Sequence, residues 1–259
     1  MCTHAGPGQT PQPELPGSVP FMRTVAVVLA GGAGQRFGGD LPKQLQVLAG
    51  RTLLEHSVAA FEQAPGVDAI IVVAPADLAG ITKELLAKAS YPKAARVIGG
   101  GVTRTDSTRC AIAELCAAGS GTDDCNVLFH DAARPLIDQR VIADCVSALA
   151  TYPAIGVAIP SSDTIVEVAD GVVTAMPHRD GLARFQTPQG FRLSVIMRAY
   201  ELADADPDFG QRPATDDCGI VLRYLPDVPV RLVRGSERNI KVTYPDDLHI
   251  AEALLRLGR

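Results

Sequence analysis

An α/β fold built on a mainly parallel sheet is what this sequence predicts, on three observations. Apolar runs of strand length recur along the chain: Val25–Ala30, Ala69–Ala74, Val127–Phe129 and Ile155–Ile159. Their near-continuous apolar character suits strands buried on both faces rather than the alternating pattern of a half-exposed sheet. Segments with apolar residues at helical spacing lie between them, and two glycine-rich breaks follow strands at Gly31–Gly34 and Gly99–Gly101. Strand, helix, strand order implies parallel pairs joined by right-handed crossovers.

Taken in order, residues 1–22 hold Pro11, Pro13, Pro16 and Pro20 without an apolar core, which predicts a disordered lead-in rather than a signal peptide. Residues 23–259 are then expected to form one domain, a size that α/β domains reach without splitting. The strand Val25–Ala30 opens it. Leu54, Val58 and Phe61 mark a helix that Pro65-Gly66 stops, and Ala69–Ala74 is the second strand, ended by Pro75. A helix over Ile81–Ala89 and a short strand over Ala95–Ile98 follow, then a helix from Ser107 to Ala117. After the strands at Val127 and Ile155, two β-prone runs, Thr164–Val168 and Val172–Met176, flank Asp170-Gly171. That dipeptide predicts a hairpin, and in a chain of alternating strands and helices such a hairpin, within an arm over about 161–182, is expected to leave the core and pack on a partner subunit. Gln186–Phe191 reads as a turn-rich segment, Val195–Ala203 as a helix, Thr215-Asp-Asp217 as the opening of another, Val230–Val233 as a strand, and Ile240–Thr243 as a short strand carrying Lys241.

Composition narrows the function. The chain is 47% hydrophobic and 20% charged with a net charge of −5 and pI near 5.5, so it has no basic field to hold a nucleic-acid polymer. No run approaches the ~18 apolar residues of a membrane helix. Six cysteines show neither a C-x-x-C pair nor histidines at zinc-ligand spacing, which suits reduced thiols in a cytoplasmic protein.

The candidate chemistry starts at Gly31, Gly32 and Gly34 with Arg36 and Lys43 beyond. Glycines let backbone N–H groups approach phosphate oxygens, and the cations add charge. The dinucleotide fingerprint fails because Phe37 stands where its third glycine belongs, and the P-loop fails because Gly39 is followed by Asp40 rather than Gly-Lys-Ser/Thr. An ordinary glycine-rich turn with solvated cations is the alternative. Gly99–Ser107 is a second such turn, where a helix N-terminus and Arg104 could hold another part of an anionic ligand or merely cap the helix. Asp131 and Arg134 sit just past a strand's carboxyl end, where α/β sheets bind ligands; Asp131 could hold hydrated Mg²⁺ or simply pair with Arg134. His130 reads as a packed strand-end residue, and a lone lysine such as Lys241 ordinarily reads as a solvated charge.

In order along the chain, Ala30-Gly-Gly-Ala-Gly-Gln-Arg36, Pro42-Lys-Gln44, Gly100–Ser107, His130-Asp-Ala-Ala-Arg-Pro135, Asp163-Thr164, Gln186-Thr-Pro-Gln189, Thr215-Asp-Asp217 and Asn239-Ile-Lys-Val-Thr243 resemble the 2-C-methyl-D-erythritol 4-phosphate cytidylyltransferases and the similar ribitol 5-phosphate cytidylyltransferases. The resemblance covers about residues 24–257. It implies a Rossmann-like, glycosyltransferase-A-type nucleotidyltransferase with a twisted sheet and a β-arm that forms a homodimer. It also implies the reaction, attack of a polyol-phosphate oxygen on the α-phosphorus of CTP with Mg²⁺ required, giving a CDP-polyol and pyrophosphate. By the same resemblance, Arg36 and Lys43 match cations that stabilise triphosphate charge, while Lys241 and Arg179 match residues that position the acceptor phosphate, Arg179 from the neighbouring subunit. Ala30, Gly31, Gly32, Gly34, Gly101 and Ser107 match the nucleotide's surroundings; Asp131 matches a carboxylate near metal and acceptor, and Thr187 and Thr215 match acceptor-site hydroxyls.

Two departures bear on the acceptor. The methylerythritol enzymes commonly open the loop with Pro-Ala-Ala-Gly, whereas Leu29-Ala-Gly-Gly32 looks more like the ribitol-phosphate branch, and Val166 stands where a lysine is usual. Cytidylyl transfer to methylerythritol phosphate is the leading expectation, transfer to ribitol 5-phosphate the alternative. A non-catalytic CTP-binding homologue would require loss of the cationic set, which is intact.

Overall fold

The computed structural model describes residues 22–31, 37, 42–94, 96–118, 124–212 and 214–258. The lead-in up to residue 21, together with Gly32, Gly34 and Arg36, lies outside them. The strands are β1 (Thr24–Leu29), β2 (Val47–Leu48), β3 (Arg51–Thr52), β4 (Ala69–Ala74), β5 (Arg96–Gly99), β6 (Asn126–Asp131), β7 (Ala154–Pro160), β8 (Glu167–Ala169), β9 (Val172–Ala175), β10 (Ala183–Arg192) and β11 (Val230–Arg234). The helices are α1 (Leu53–Glu62), α2 (Ala79–Ala89), α3 (Arg104–Ala118), α4 (Gln139–Leu149), α5 (Leu193–Ala205), α6 (Asp217–Tyr224) and α7 (Asp246–Leu257).

Seven strands form one sheet in the order β11-β7-β10-β6-β1-β4-β5. All neighbours pair parallel except β10, which runs antiparallel to both β6 and β7. Strand β1, beside the middle strand β6, is buried at every residue, and strand alternation sends its side chains into two cores. Ala26 and Val28 face Leu54, Val58 and Phe61 of α1 and Val141, Ile142 and Cys145 of α4. Val25, Val27 and Leu29 face Ala111, Ile112 and Leu115 of α3 with Ile196 and Tyr200 of α5 and Ile220 of α6. Each large apolar side chain fully buried this way contributes roughly 1.5–3 kcal/mol, so helices on both faces hold the sheet in three layers.

Several elements differ from the sequence expectation. Gln186–Phe191 is not a turn but part of central strand β10. Proline and glycine ordinarily argue against a mid-sheet strand; here the register slips between Phe185 and Gln189, around Pro188. Gly190 is required by crowding, since a Cβ there would lie 2.8 Å from side-chain atoms of both Ile155 and Leu128. Lys241 lies in an irregular segment rather than a strand, tied to the loop after β6 by the bond from Val242 N–H to Ala133 O (2.8 Å). Helix α3 begins three residues before Ser107, at Arg104. Thr103 and Asp106 supply the reason by bonding each other's backbone N–H (both 3.1 Å), a reciprocal cap. Helices α4 and α7 lie in stretches for which the sequence reading assigned no element.

The hairpin β8–β9 stands apart as its own two-stranded sheet, every residue exposed, with Asp170 and Gly171 at φ 50° and 78° as a tight Asp-Gly turn requires. Among the described residues no helix is long and apolar enough to cross a membrane.

Candidate active site

Three loops past the carboxyl ends of β1, β5 and β6 meet at a recess of about 120 Å³. Ala30 and Gly31 continue β1, with Ala30 N–H donating to Val73 O (2.8 Å) as though the strand went on. Ser107 arrives from the first turn of α3, its hydroxyl donating to Thr103 O (3.1 Å). The fit is close: a Cβ on Gly31 would stand 2.7 Å from Ser107 Oγ, and one on Gly100 2.8 Å from the same atom. A side chain at either position would push the Ser107 hydroxyl off Thr103 O, and neither residue has a positive φ that would itself call for glycine. Lys43, from a short 3₁₀ turn over Lys43–Leu45, and Lys241 complete the cationic side, with Arg104 and Asp131 at the base.

Asp131 ends β6 and is 8% exposed. Its two oxygens carry different cations: Arg104 Nε donates to Oδ1 (3.1 Å) and Lys241 Nζ to Oδ2 (2.7 Å). Burial works against the ionised carboxylate, but Arg104 and Lys241 outweigh it and hold Asp131 well below the usual carboxylate range. Arg104 also pairs with Asp217 (Nη1 to Oδ2, 2.8 Å). Burial alone would lower its pKa, yet the two carboxylates raise it.

The backbone of Asp131 is held by a chain of hydrogen bonds whose proton positions follow by elimination. His130 Nε2 lies 3.1 Å from Arg134 O, which can only accept, so Nε2 carries the proton. Nδ1 of the neutral ring must then accept, and its partner at 3.1 Å is the Thr187 hydroxyl. Thr187 Oγ1 in turn accepts from Asp131 N–H (3.1 Å). Burial pushes His130 down to about 4, so the neutral ring is the resting form near pH 7.

The residues singled out from the sequence divide into three groups. Ala30, Gly31, Lys43, Ser107, Asp131 and Lys241 line the recess. Thr187 is 4% exposed and lies behind Asp131, while Gly101 packs on α3, its Cβ position 2.2 Å from Asp106 Cβ. Thr215 is exposed two residues before buried Asp217, and Arg179 sits in the short turn after the hairpin, with Nη1 3.4 Å from Ser162 O. The other arginines brace loops: Arg134 Nη1 donates to Asn239 O (2.8 Å) and Arg184 Nη2 to Glu237 (2.7 Å), both fixing the segment that precedes Lys241. The sequence marks the Thr215-Asp-Asp217 motif but not Asp217 within it; only the fold reveals that Asp216 caps α6 through Gly219 N–H (2.7 Å) while Asp217 turns inward.

A glycine-walled recess with lysines on one side and a single ion-paired aspartate at its base, beyond the ends of parallel strands, defines the nucleotide-binding class of α/β enzymes that handle phosphates. Comparison with known proteins narrows this to one family. The family profile for 2-C-methyl-D-erythritol 4-phosphate cytidylyltransferase matches residues 24–257, and the chain belongs to that family. A protein so named from Thermobifida fusca is 52% identical over 241 residues, covering 91% of this chain and 94% of that one. A bifunctional ribulose 5-phosphate reductase/CDP-ribitol pyrophosphorylase of Haemophilus influenzae is 38% identical over 90% of this chain, which spans 48% of that protein. Among solved structures, 4-diphosphocytidyl-2C-methyl-D-erythritol synthase from Anaerococcus prevotii superposes with a TM-score of 0.78 at 28% identity, over 92% of this chain and 98% of that one.

Proposed function

We propose that this protein transfers CMP from CTP to 2-C-methyl-D-erythritol 4-phosphate, giving the CDP-polyol and pyrophosphate. The observation that carries the reading is the meeting of Lys43, Lys241 and Asp131 against the Gly31–Ser107 wall, in a chain 52% identical to a relative of that name. Such a site works by position and charge rather than through a covalent intermediate. The recess takes the nucleotide, with Ala30, Gly31 and Ser107 beside it and Lys43 against the triphosphate, where charge grows in the transition state. Lys241 orients the acceptor phosphate, and Asp131 steadies Lys241 until the acceptor arrives. Arg36 joins Lys43 in this reading, with Gly32, Gly34 and Gly101 shaping the loops and Thr187 and Thr215 on the acceptor side.

Mg²⁺ suits this donor set in one manner. Among the described residues no group of three or more His, Cys, Asp or Glu side chains could cage a metal, and Asp131 is the carboxylate on the recess wall. One carboxylate plus substrate phosphates is a common way to hold Mg²⁺. Asp131 would hold the ion, which when bound neutralises phosphate charge.

The protein acts in this reading as a homodimer through the β8–β9 arm. Val168, Val172, Val173 and Met176 leave an apolar surface there, 59%, 65%, 57% and 66% exposed, and a second copy would cover it while bringing its Arg179 to the neighbouring acceptor site.

Ribitol 5-phosphate is the second acceptor reading, supported by Leu29-Ala-Gly-Gly32 and the Haemophilus relative. Purified protein with CTP and Mg²⁺, offered each polyol phosphate, tests both through pyrophosphate release. Release with methylerythritol phosphate is expected; release with ribitol 5-phosphate alone would overturn the first reading.

A further inference from the structure

The two cations on Asp131 are not equivalent. Lys241 bonds one carboxylate and its side chain is 42% exposed, so it can turn toward an arriving phosphate. Arg104 lies between two carboxylates, with Nε on Asp131 Oδ1, Nη1 on Asp217 Oδ2, and Nη2 buried. Nε and Nη1 are thus engaged by carboxylates, while Nη2 is buried without a hydrogen-bond partner among the described residues. Asp217 itself is fully buried, and its Oδ1 accepts from Tyr200 Oη (2.7 Å). Its backbone N–H and that of Cys218 both donate to Gln189 Oε1 (3.0 and 3.1 Å), pinning the start of α6 to strand β10. If Arg104 moved to a ligand it would strand the Asp217 charge in the core, away from water, a strongly unfavourable outcome.

We propose that Asp217, which does not line the recess, is a positioning residue for the reaction: it locks Arg104, and Arg104 holds Oδ1 of Asp131 so that only Oδ2 is free to change partners. Arg104 is by this account a fixed brace and not a phosphate ligand. The line Tyr200–Asp217–Arg104–Asp131 runs from the helical layer through to the base of the recess. It rests on the proposed cytidylyl transfer only in assuming that the recess is where turnover occurs.

The test uses the full chain and variants Asp217→Asn, Arg104→Gln, their double, and Tyr200→Phe, each normalised to its folded fraction. Asp217→Asn should lower kcat at least ~10-fold with KM for CTP within ~3-fold, since a misplaced Asp131 affects the transition state more than nucleotide binding. The double variant should be within ~2-fold of Arg104→Gln alone, because residues acting through one another are not additive. Tyr200→Phe, which keeps the Asp217 charge, should lose ~2–5-fold and carries the test if Asp217→Asn does not accumulate. A slowly exchanging Arg104 Nε–H resonance, present in the parent protein and lost in Asp217→Asn or weakened in Tyr200→Phe, reads the same lock without turnover. A folded Asp217→Asn with unchanged kcat, an additive double variant, or a raised KM for CTP at constant kcat would overturn the proposal. Absence of pyrophosphate release from the parent protein with either polyol phosphate would instead overturn the functional reading, and the resonance would still decide the lock.

Discussion

The carboxyl end of β6 and the β8–β9 arm are opposite solutions to placing functional residues. At the first, His130, Asp131, Thr187, Asp217 and Asn239 are all buried; hydrogen bonds join the first three and Asn239, and Arg104 links Asp217 to Asp131. At the second, two short strands carry exposed Val168, Val172 and Val173 and touch no core. The buried framework of the β6 site is built within one chain, whereas the arm is an unfinished surface. The contrast teaches that most buried polar groups find their partners within the fold, because each one left unpaired is costly, while exposed apolar groups can wait for a partner.

The sharpest way to break that contrast is at the recess itself. Lys43→Ala should lower turnover by at least ~10²-fold, the effect of removing one preorganised charge at a transition state, with unfolding unchanged; a normal rate would remove Lys43 from the mechanism. The buried side is next probed by pH. His130 is held to about 4 when folded against its ordinary 6.5, so the unfolded chain takes up its proton first as acid is added. That contribution is therefore complete above pH 6.5 and falls away between 6.5 and 4, a loss of roughly 3 kcal/mol. Urea titrations across this window should show the decline, and His130→Asn should flatten it. Thr187→Val keeps the shape but leaves Asp131 N–H and His130 Nδ1 unpaired, so it should cost ~1–3 kcal/mol; Thr187→Ser should restore most of it. The arm should respond least in chain stability: Val172→Asp is expected to stay within about 0.5 kcal/mol of the parent yet shift the mass in light scattering from dimer to monomer. Mixing Arg179→Ala with Lys43→Ala protein should recover partial activity if sites are shared across the arm, and no recovery under subunit exchange would count against sharing.

The same contrast governs how much could be read from sequence. Strand β4 is legible to the residue, as Ala69–Ala74, because an apolar run ended by proline leaves no other choice. The hairpin was equally plain from Asp170-Gly171. Strand β10 is hidden in the sequence because Pro188 and Gly190 argue locally against a strand, and only pairing with β6 and β7, where Gly190 alone leaves room, makes it one. Asp131 could be placed from its position after a strand, but Lys241 looked like a solvated charge until its motif was matched to a family. Arg104 and Asp217 illustrate the limit. Whether an arginine faces ligand or carboxylate depends on what the fold brings opposite it, and neither local pattern nor composition records that. His130 and Thr187 meet across 57 residues for the same reason.

The hydroxyl of Ser107 has a consequence beyond its own bond. With 2.7 Å and 2.8 Å left between Oγ and the Cβ positions of Gly31 and Gly100, the loop after β1 and the loop after β5 share a single clearance. A methyl group on either glycine would push that hydroxyl off its bond to Thr103 O. The clearance at this wall of the recess is thus set by one hydroxyl on α3, and an enzyme of this design would change the room it leaves there by exchanging that single side chain.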